Sequence, residues 1–364
     1  MLMSLWSKEV MNTCHAVDNP ALSEKPFKLV SELTYKCNLK CIYCHNPVNK
    51  SHFNNELTTN QWKTIISEAS DLGVVINEFT GGEPTLRRDL IELVDYSKKV
   101  GLYTKINTNG STMTDAQASE LYKSGLDAAQ VGFPSLEEVS HKRITEVDDL
   151  LNKRIEGVKN LRKYDIPVYL NVVLTKFNYL EIETIARFAE QYEISEVVFQ
   201  PAFLFGRAAM HIRNSDNFLP TQKQMDMVQR KLSELATNKL GVKLAPPNMF
   251  YYTGEPMPCS WSKEGVIVVT PNGLITPCEP ASSLYPEVKF EPVTASRALS
   301  DIWNGSSALE LFQDTDFLPK ICKECEILRS CRGGCRVVTY LLTDDVFRED
   351  PTCSLSENRE LIKL

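Results

Sequence analysis

Between Lys28 and Gln200 the chain passes six times through a short apolar, β-branched run, and between those runs five times through a longer segment with apolar residues at helical spacing. That alternation narrows the possible folds more than any other feature, because parallel strands need a crossover long enough to hold a helix. Strands are expected over 28–35, 74–80, 102–107, 128–133, 168–174 and 196–200, and helices over 59–72, 87–100, 115–124, 148–164 and 180–192. Thr59 reads as the cap of the first helix, Trp62, Ile65, Ile66, Ala69 and Leu72 as its apolar positions at helical spacing, and Gly73 as its end. The class is α/β with a parallel sheet. Six units fall short of the usual eight-stranded barrel, which leaves two solutions: a partial (β/α)6 barrel or an open, doubly wound sheet. Periodicity does not separate them.

The texture then changes. A loop-rich stretch around Gly206 and residues 214–220 leads to one more amphipathic helix over 222–236, and from about residue 245 Pro, Gly and Cys dominate. Residues 266–270 and 274–276 flank Pro271-Asn272-Gly273, a hairpin signal, since Asn-Gly accepts the positive φ of a tight turn. The expected division is an N-terminal extension (1–26), an α/β core (27–244) and a cysteine-rich domain (245–364). Forty basic against 47 acidic side chains give a net charge of -7, which argues against nucleic acid as a partner. No run of 18 or more apolar residues is present, so no membrane span is expected. Residues 1–19 lack the apolar core of a secretory signal, so a cytoplasmic location is expected. In that reducing compartment, eleven cysteines point to metal or cluster ligation rather than disulfides.

The cysteines fall into two groups. Cys37, Cys41 and Cys44 are spaced C-x3-C-x2-C in the loop after the first strand, with Tyr43 placed to lie against whatever they bind. Three thiolates on a 4Fe–4S cube leave one iron free for a small-molecule ligand; a zinc site borrowing a distant fourth ligand, or three free thiols, are the other readings. The second strand runs into Gly81-Gly82-Glu83-Pro84, where the glycines permit close backbone approach to a ligand and Glu83 offers a carboxylate to a ligand ammonium. The second group is Cys259, Cys278, Cys322, Cys325, Cys331, Cys335 and Cys353, in the pattern C-x13-G-x4-C, C-x2-C-x5-C-x3-C and a final cysteine. Seven thiolates divide as four plus three: a saturated cluster and one with an open or borrowed ligand, with a zinc ribbon as the alternative. Cys14 is left over and reads as a free thiol. Arg207 follows the sixth strand at the sheet edge where ligands gather, and reads as a carboxylate-binding group or a surface arginine. His45, beside Cys44, reads as facing the cluster, substrate or solvent; His141 and His211 have no partner at ligand spacing.

The three-cysteine loop, the GGEP strand end and the six-unit core together resemble the radical S-adenosylmethionine (SAM) enzymes. The resemblance implies that Cys37, Cys41 and Cys44 hold a 4Fe–4S cluster, and that Gly81, Gly82 and Glu83 meet the SAM ammonium. It also places Thr108, Asn109, Asn171 and Val173 near the SAM ribose and adenine. The second cysteine group is similar to the SPASM extension. That likeness implies one auxiliary iron–sulfur cluster on Cys259, Cys278 and Cys335, and a second on Cys322, Cys325, Cys331 and Cys353. Within this superfamily the run from Glu32 to Pro47 is most similar to the pyrroloquinoline quinone (PqqE-like) peptide cyclases. Cys331 stands where that pattern has an aspartate, and Val337 where it has a further cysteine, so the resemblance points to a relative acting on another peptide. The implied activity is crosslinking of a ribosomally made precursor peptide by a 5′-deoxyadenosyl radical. Side-chain oxidation of a protein and a non-catalytic iron–sulfur or zinc scaffold are the other readings. The implied partners are the precursor peptide, a flavodoxin- or ferredoxin-type electron donor, and a separate peptide-recognition protein, since few residues precede the first strand.

Overall fold

The computed structural model describes residues 25–237, 241–247, 252, 254, 259, 265–312 and 314–362. The expected N-terminal extension, Cys14 included, lies outside them apart from Lys25 and Pro26.

The alternation forms as expected, through β1 (Lys28–Thr34), α1 (Thr59–Asp71), β2 (Ile76–Gly81), α2 (Leu90–Lys99), β3 (Tyr103–Thr108), α3 (Asp115–Lys123) and β4 (Ala128–Gly132). Two helices, α4 (Glu138–Thr145) and α5 (Leu151–Lys163), precede β5 (Val168–Leu174), and α6 (Ile182–Gln191) leads to β6 (Glu196–Pro201). After β6 come α7 (Gly206–Arg213), α8 (Gln222–Thr237) and a short strand, β7 (Lys243–Ala245). The first helix is capped by Thr58, not Thr59: its hydroxyl accepts from the Gln61 amide, and the Gln61 side chain accepts from the Thr58 amide. Helices α4 and α7 replace loops expected from sequence, because each is only two turns long and too short to show a period.

Strand order settles the choice between barrel and doubly wound sheet. The sheet of the described residues runs β7-β6-β5-β4-β3-β2-β1-β8-β9, with every neighbour parallel except β9 on β8. From β1 to β6 the order never reverses, as in a barrel, whereas a doubly wound sheet reverses at its switch point. β7 and β9 occupy opposite ends, so among the described residues the barrel is partial.

Strand alternation sorts the side chains into two layers. Leu29, Leu33, Phe79, Ile106, Val131 and Leu170 face the helices and join the main apolar core. The intervening residues face the barrel interior and are strongly polar: Lys28, Glu32, Glu78, Lys105, Asn107, Gln130 and Asn171. Glu78 lies 3.0 Å from Lys28 and 3.3 Å from Lys105, and Lys105 also donates to Gln130 at 2.9 Å, which ties the first four strands together inside the barrel.

β8 (Val266–Val269) and β9 (Ile275–Thr276) are the expected hairpin, turned at Gly273 with φ 89°. The sheet does not stop at residue 245. β8 pairs in parallel with β1, from Lys28 opposite Val266 to Ser31 opposite Val269. The hairpin tip is also bonded to the segment after the cysteine loop, where Leu57 N donates to Pro271 O at 2.7 Å and Asn272 Nδ2 to His52 O at 3.1 Å. Further on, α9 (Leu299–Gly305) buries Leu299 and Ile302, and α10 (Arg336–Thr343) buries Val337 and Val338.

Candidate active site

The Cys37–Cys44 loop leaves β1 at the carboxyl end of the barrel and is held on three sides. On one side it adds two backbone bonds to the end of α4: Lys40 N to Thr145 O and Ile42 N to Ile144 O, both 2.9 Å. On the second, Gly82 N donates to Thr34 O at 2.6 Å and Glu83 N to Lys36 O at 2.9 Å. On the third, Arg207 N donates to Cys44 O at 2.9 Å and its Nη1 to Cys41 O at 3.1 Å. The same face carries Gly206, at φ 48°, where a side chain would overlap the carbonyls of Cys44 and Asn46.

The glycines of the GGEP turn are needed for approach, but the approach is to the chain's own backbone. A Cβ on Gly81 would strike Thr34 O, and one on Gly82 would strike Lys36 O. Glu83 is fully buried and its carboxylate is already engaged, accepting from Thr108 Oγ1 and Asn109 N, both at 2.7 Å, and from Thr85 N at 3.1 Å. Burial holds this carboxyl above its ordinary value while those donors pull it down. Its role in this geometry is to fix the Thr108–Asn109 turn against the second strand. Asn109 in turn donates to Asn38 Oδ1 at 2.9 Å, inside the cysteine loop. Asn171 and Val173 lie on β5, and Asn171 Oδ1 is buried with no hydrogen-bond partner among the described residues. Arg207 is a clamp on the cysteine loop in this structure.

The three thiols interact electrostatically, and burial raises Cys37 and pushes Cys41 up to about 12. Tyr43 shares the pocket, its hydroxyl hydrogen-bonded to Cys41. A single zinc ion bound by thiolates at 2.3 Å sets its sulfurs about 3.8 Å apart. Among the described residues, the one trio with ligand atoms within 4.8 Å of one another is Glu32, His45 and Glu279, not a cysteine set. Cys37, Cys41 and Cys44 act on one another's charge, so the loop brings the three thiols together.

The second cysteine group separates in space. Cys278 interacts with Cys335 and Cys259, beside the hairpin and α10. Cys322, Cys325, Cys331 and Cys353 line one cavity of about 100 Å³, walled by Ile327, Leu328 and Leu355. The departure at Val337 is a core position, 1% exposed.

Sequence reasoning missed several residues here. Glu32 is fully buried and accepts from Tyr35 Oη at 2.6 Å through one oxygen, and among the described residues the other has no partner. Its carboxyl is raised by burial and by the nearby Glu279. His45 Nε2 is 3.7 Å from Glu279 Oε1. Glu32, His45 and Glu279 lie together, with His45 next in sequence to Cys44 and Glu279 next to Cys278. His141 is buried against Arg154, itself 1% exposed, and His211 pairs with Asp216 at 2.8 Å.

The comparisons with known proteins agree with this geometry. Residues 31–189 match the radical SAM superfamily model, and residues 259–326 match the iron–sulfur cluster-binding SPASM domain. The chain belongs to the radical SAM superfamily, in the branch that carries a SPASM domain, and is an enzyme that uses a 4Fe–4S cluster and S-adenosyl-L-methionine, with further iron–sulfur ligation in its C-terminal part. Among its relatives, the PqqA peptide cyclase of Bradyrhizobium diazoefficiens is 32% identical over 93% of this chain and 88% of that protein. The PqqA peptide cyclase of Gluconobacter oxydans is 31% identical over 94% of each. In fold, the chain is similar to Streptococcus suis SuiB bound to precursor peptide SuiA, with TM-score 0.73 and 19% identity over 97% of this chain and 80% of that one. It is also similar to anSMEcpe with bound AdoMet, with TM-score 0.63 and 16% identity over 92% and 94%. Among the described residues no helix is long and apolar enough to cross a membrane.

Proposed function

We propose that this enzyme crosslinks a ribosomally made precursor peptide within a 27–244 core and a 245–364 auxiliary-cluster domain. Cys37, Cys41 and Cys44 would hold the 4Fe–4S cluster. Cys259, Cys278 and Cys335 would hold one auxiliary cluster, and Cys322, Cys325, Cys331 and Cys353 the other. The Gly81–Glu83 turn, Thr108, Asn109, Asn171 and Val173 would form the SAM-binding surface. The observation that carries this reading is the cysteine loop itself, clamped by Arg207, the GGEP turn and α4 at the mouth of a polar barrel. When bound, the cluster and SAM supply a 5′-deoxyadenosyl radical that takes a hydrogen atom from an unactivated carbon.

The chain's own part is positioning and enclosure. Glu83 holds the Thr108–Asn109 turn in place, so a cofactor meets a fixed wall. The unpartnered Asn171 Oδ1 offers an acceptor to a ligand amine or hydroxyl. His45 and Glu279, next to Cys44 and Cys278 in sequence and close to Glu32, would offer proton acceptors to a peptide side chain. A groove of about 340 Å³, bounded by Pro47, Met210, Arg213, Ser282, Tyr285 and Leu341, continues from the cysteine loop and suits an extended peptide. A separate recognition protein would deliver that peptide, and a flavodoxin or ferredoxin in the cytoplasm would supply electrons. The names of the curated relatives, which act on a peptide, support the substrate class.

Anaerobic reconstitution with iron and sulfide, followed by dithionite, SAM and a short peptide encoded beside the gene, tests the reading. The wild-type protein should release 5′-deoxyadenosine, and Cys41→Ala should release none. Tandem mass spectrometry should show the peptide two hydrogens lighter, with no fragmentation between the joined residues. A colourless zinc protein without SAM cleavage would refute the proposal.

A further inference from the structure

Arg154 lies on α5, yet its side chain points inward and is 1% exposed. A fully buried guanidinium is costly unless an anion neutralises it. Among the described residues Arg154 forms no ion pair with a carboxylate. Its donors go to neutral acceptors, the Gly132 carbonyl and His141 Nε2, the latter at 3.0 Å. Its Nε has no partner, and its charged plane stands 5.8 Å from the Phe133 ring centroid. Burial, then Arg154 itself, pushes His141 down to about 4, so the ring is neutral and accepts rather than competes for an anion.

The titratable groups whose charge reaches Arg154 lie on the cysteine loop and on the GGEP turn. Tyr43, Cys41, Glu83 and Cys37 act on it, in that order, and Arg154 exerts the largest charge effect on Cys41. The loop and this arginine share a support, since α4 carries both His141 and the Ile144 and Thr145 carbonyls to which the loop is bonded. The other cation near Cys41, Arg207, is half-buried, and its Nη1 donates to the Cys41 carbonyl at 3.1 Å.

We propose that Arg154 is the built-in counter-charge of the SAM-binding cluster, a positioning residue that sets its reduction potential from behind Cys41. The inference rests on the reading that Cys37, Cys41 and Cys44 hold that cluster. Adding an electron makes a thiolate-bound cluster more negative, and a fixed positive charge in a low-dielectric pocket favours the reduced form. Removing the charge therefore makes the cluster harder to reduce.

The test is a stepwise anaerobic redox titration of the fully reconstituted wild-type, Arg154→Lys and Arg154→Gln proteins, followed by electron paramagnetic resonance. The signal that changes on adding SAM marks the SAM-binding cluster against the auxiliary ones. Arg154→Gln should lower the equilibrium constant for reduction about tenfold, a shift of about 59 mV for one electron. Arg154→Lys, which keeps the charge, should stay within about threefold of wild type. An unmoved potential in Arg154→Gln, or an equal shift in both variants, overturns the inference. Should Arg154→Gln fail to fold or load, Arg154→Lys decides: a loaded cluster at the wild-type potential supports a charge effect, and loss of the cluster refutes it. A wild-type protein without any SAM-sensitive signal would instead remove the three-cysteine reading beneath it.

Discussion

Glu78 shows how much a single charge inside the barrel weighs on the fold. Burial alone would raise its carboxyl, but Lys105 and Lys28 outweigh that and hold it at about 2, below its ordinary 4.5. A depressed carboxylate stabilises the fold above its ordinary value and loses that contribution as pH falls from 4.5 toward 2. At about 1.4 kcal/mol per pH unit, the effect is on the order of 3 kcal/mol. Glu78→Gln should therefore be less stable than wild type by that order at neutral pH, with the gap closing below pH 4.5. Urea unfolding of both chains across the acid range measures it, and a gap independent of pH would exclude the two lysines as the cause. Single residues were also where sequence reasoning fell short. The cysteines were legible because their spacing is rare. Arg154 was not, because Lys153-Arg154 on an amphipathic helix looks like any solvated pair until the helix is docked. The GGEP turn singles out Glu83 in the sequence, but its partners, Thr85, Thr108 and Asn109, come from loops that only the folded strands bring together.

At the level of elements, the helices that steady the cysteine loop are the short ones. α4 and α7 each supply backbone partners to it, and neither shows in the sequence, since two turns hold too few apolar positions to reveal a period. The long helices and their strands were readable because each helix is amphipathic, and α1, α2 and α3 each end just before a glycine, Gly73, Gly101 and Gly125. Gly206 couples α7 to the loop at near-contact distance, and its positive φ adds strain to any replacement. Gly206→Ala should push the Cys44–Asn46 backbone away and lower 5′-deoxyadenosine formation roughly ten- to a hundredfold, the usual cost of misplacing a reacting group by about an ångström. Far-UV circular dichroism should stay unchanged. Activity equal to wild type would show that the loop tolerates the displacement.

For the whole molecule, the six-unit core was foreseen, and strand order then resolved the one ambiguity that periodicity left. What sequence could not reveal is that β8 joins β1, because a four-residue strand past a change in texture carries no signal of its partner. The pairing has an energetic meaning: without β8, a central and almost fully buried strand would present a bare row of amides and carbonyls. A chain ending at residue 245 should therefore aggregate on expression, as read by size-exclusion chromatography, and a soluble monomer of that length would contradict it. The strand that feeds the cysteine loop is thus zipped to β2 on one flank and to the iron-rich annex on the other. Grafting such an annex between relatives as an interchangeable cassette would unpick the seam on which the reactive loop hangs, so a workable chimera has to carry β1 and its annex across together.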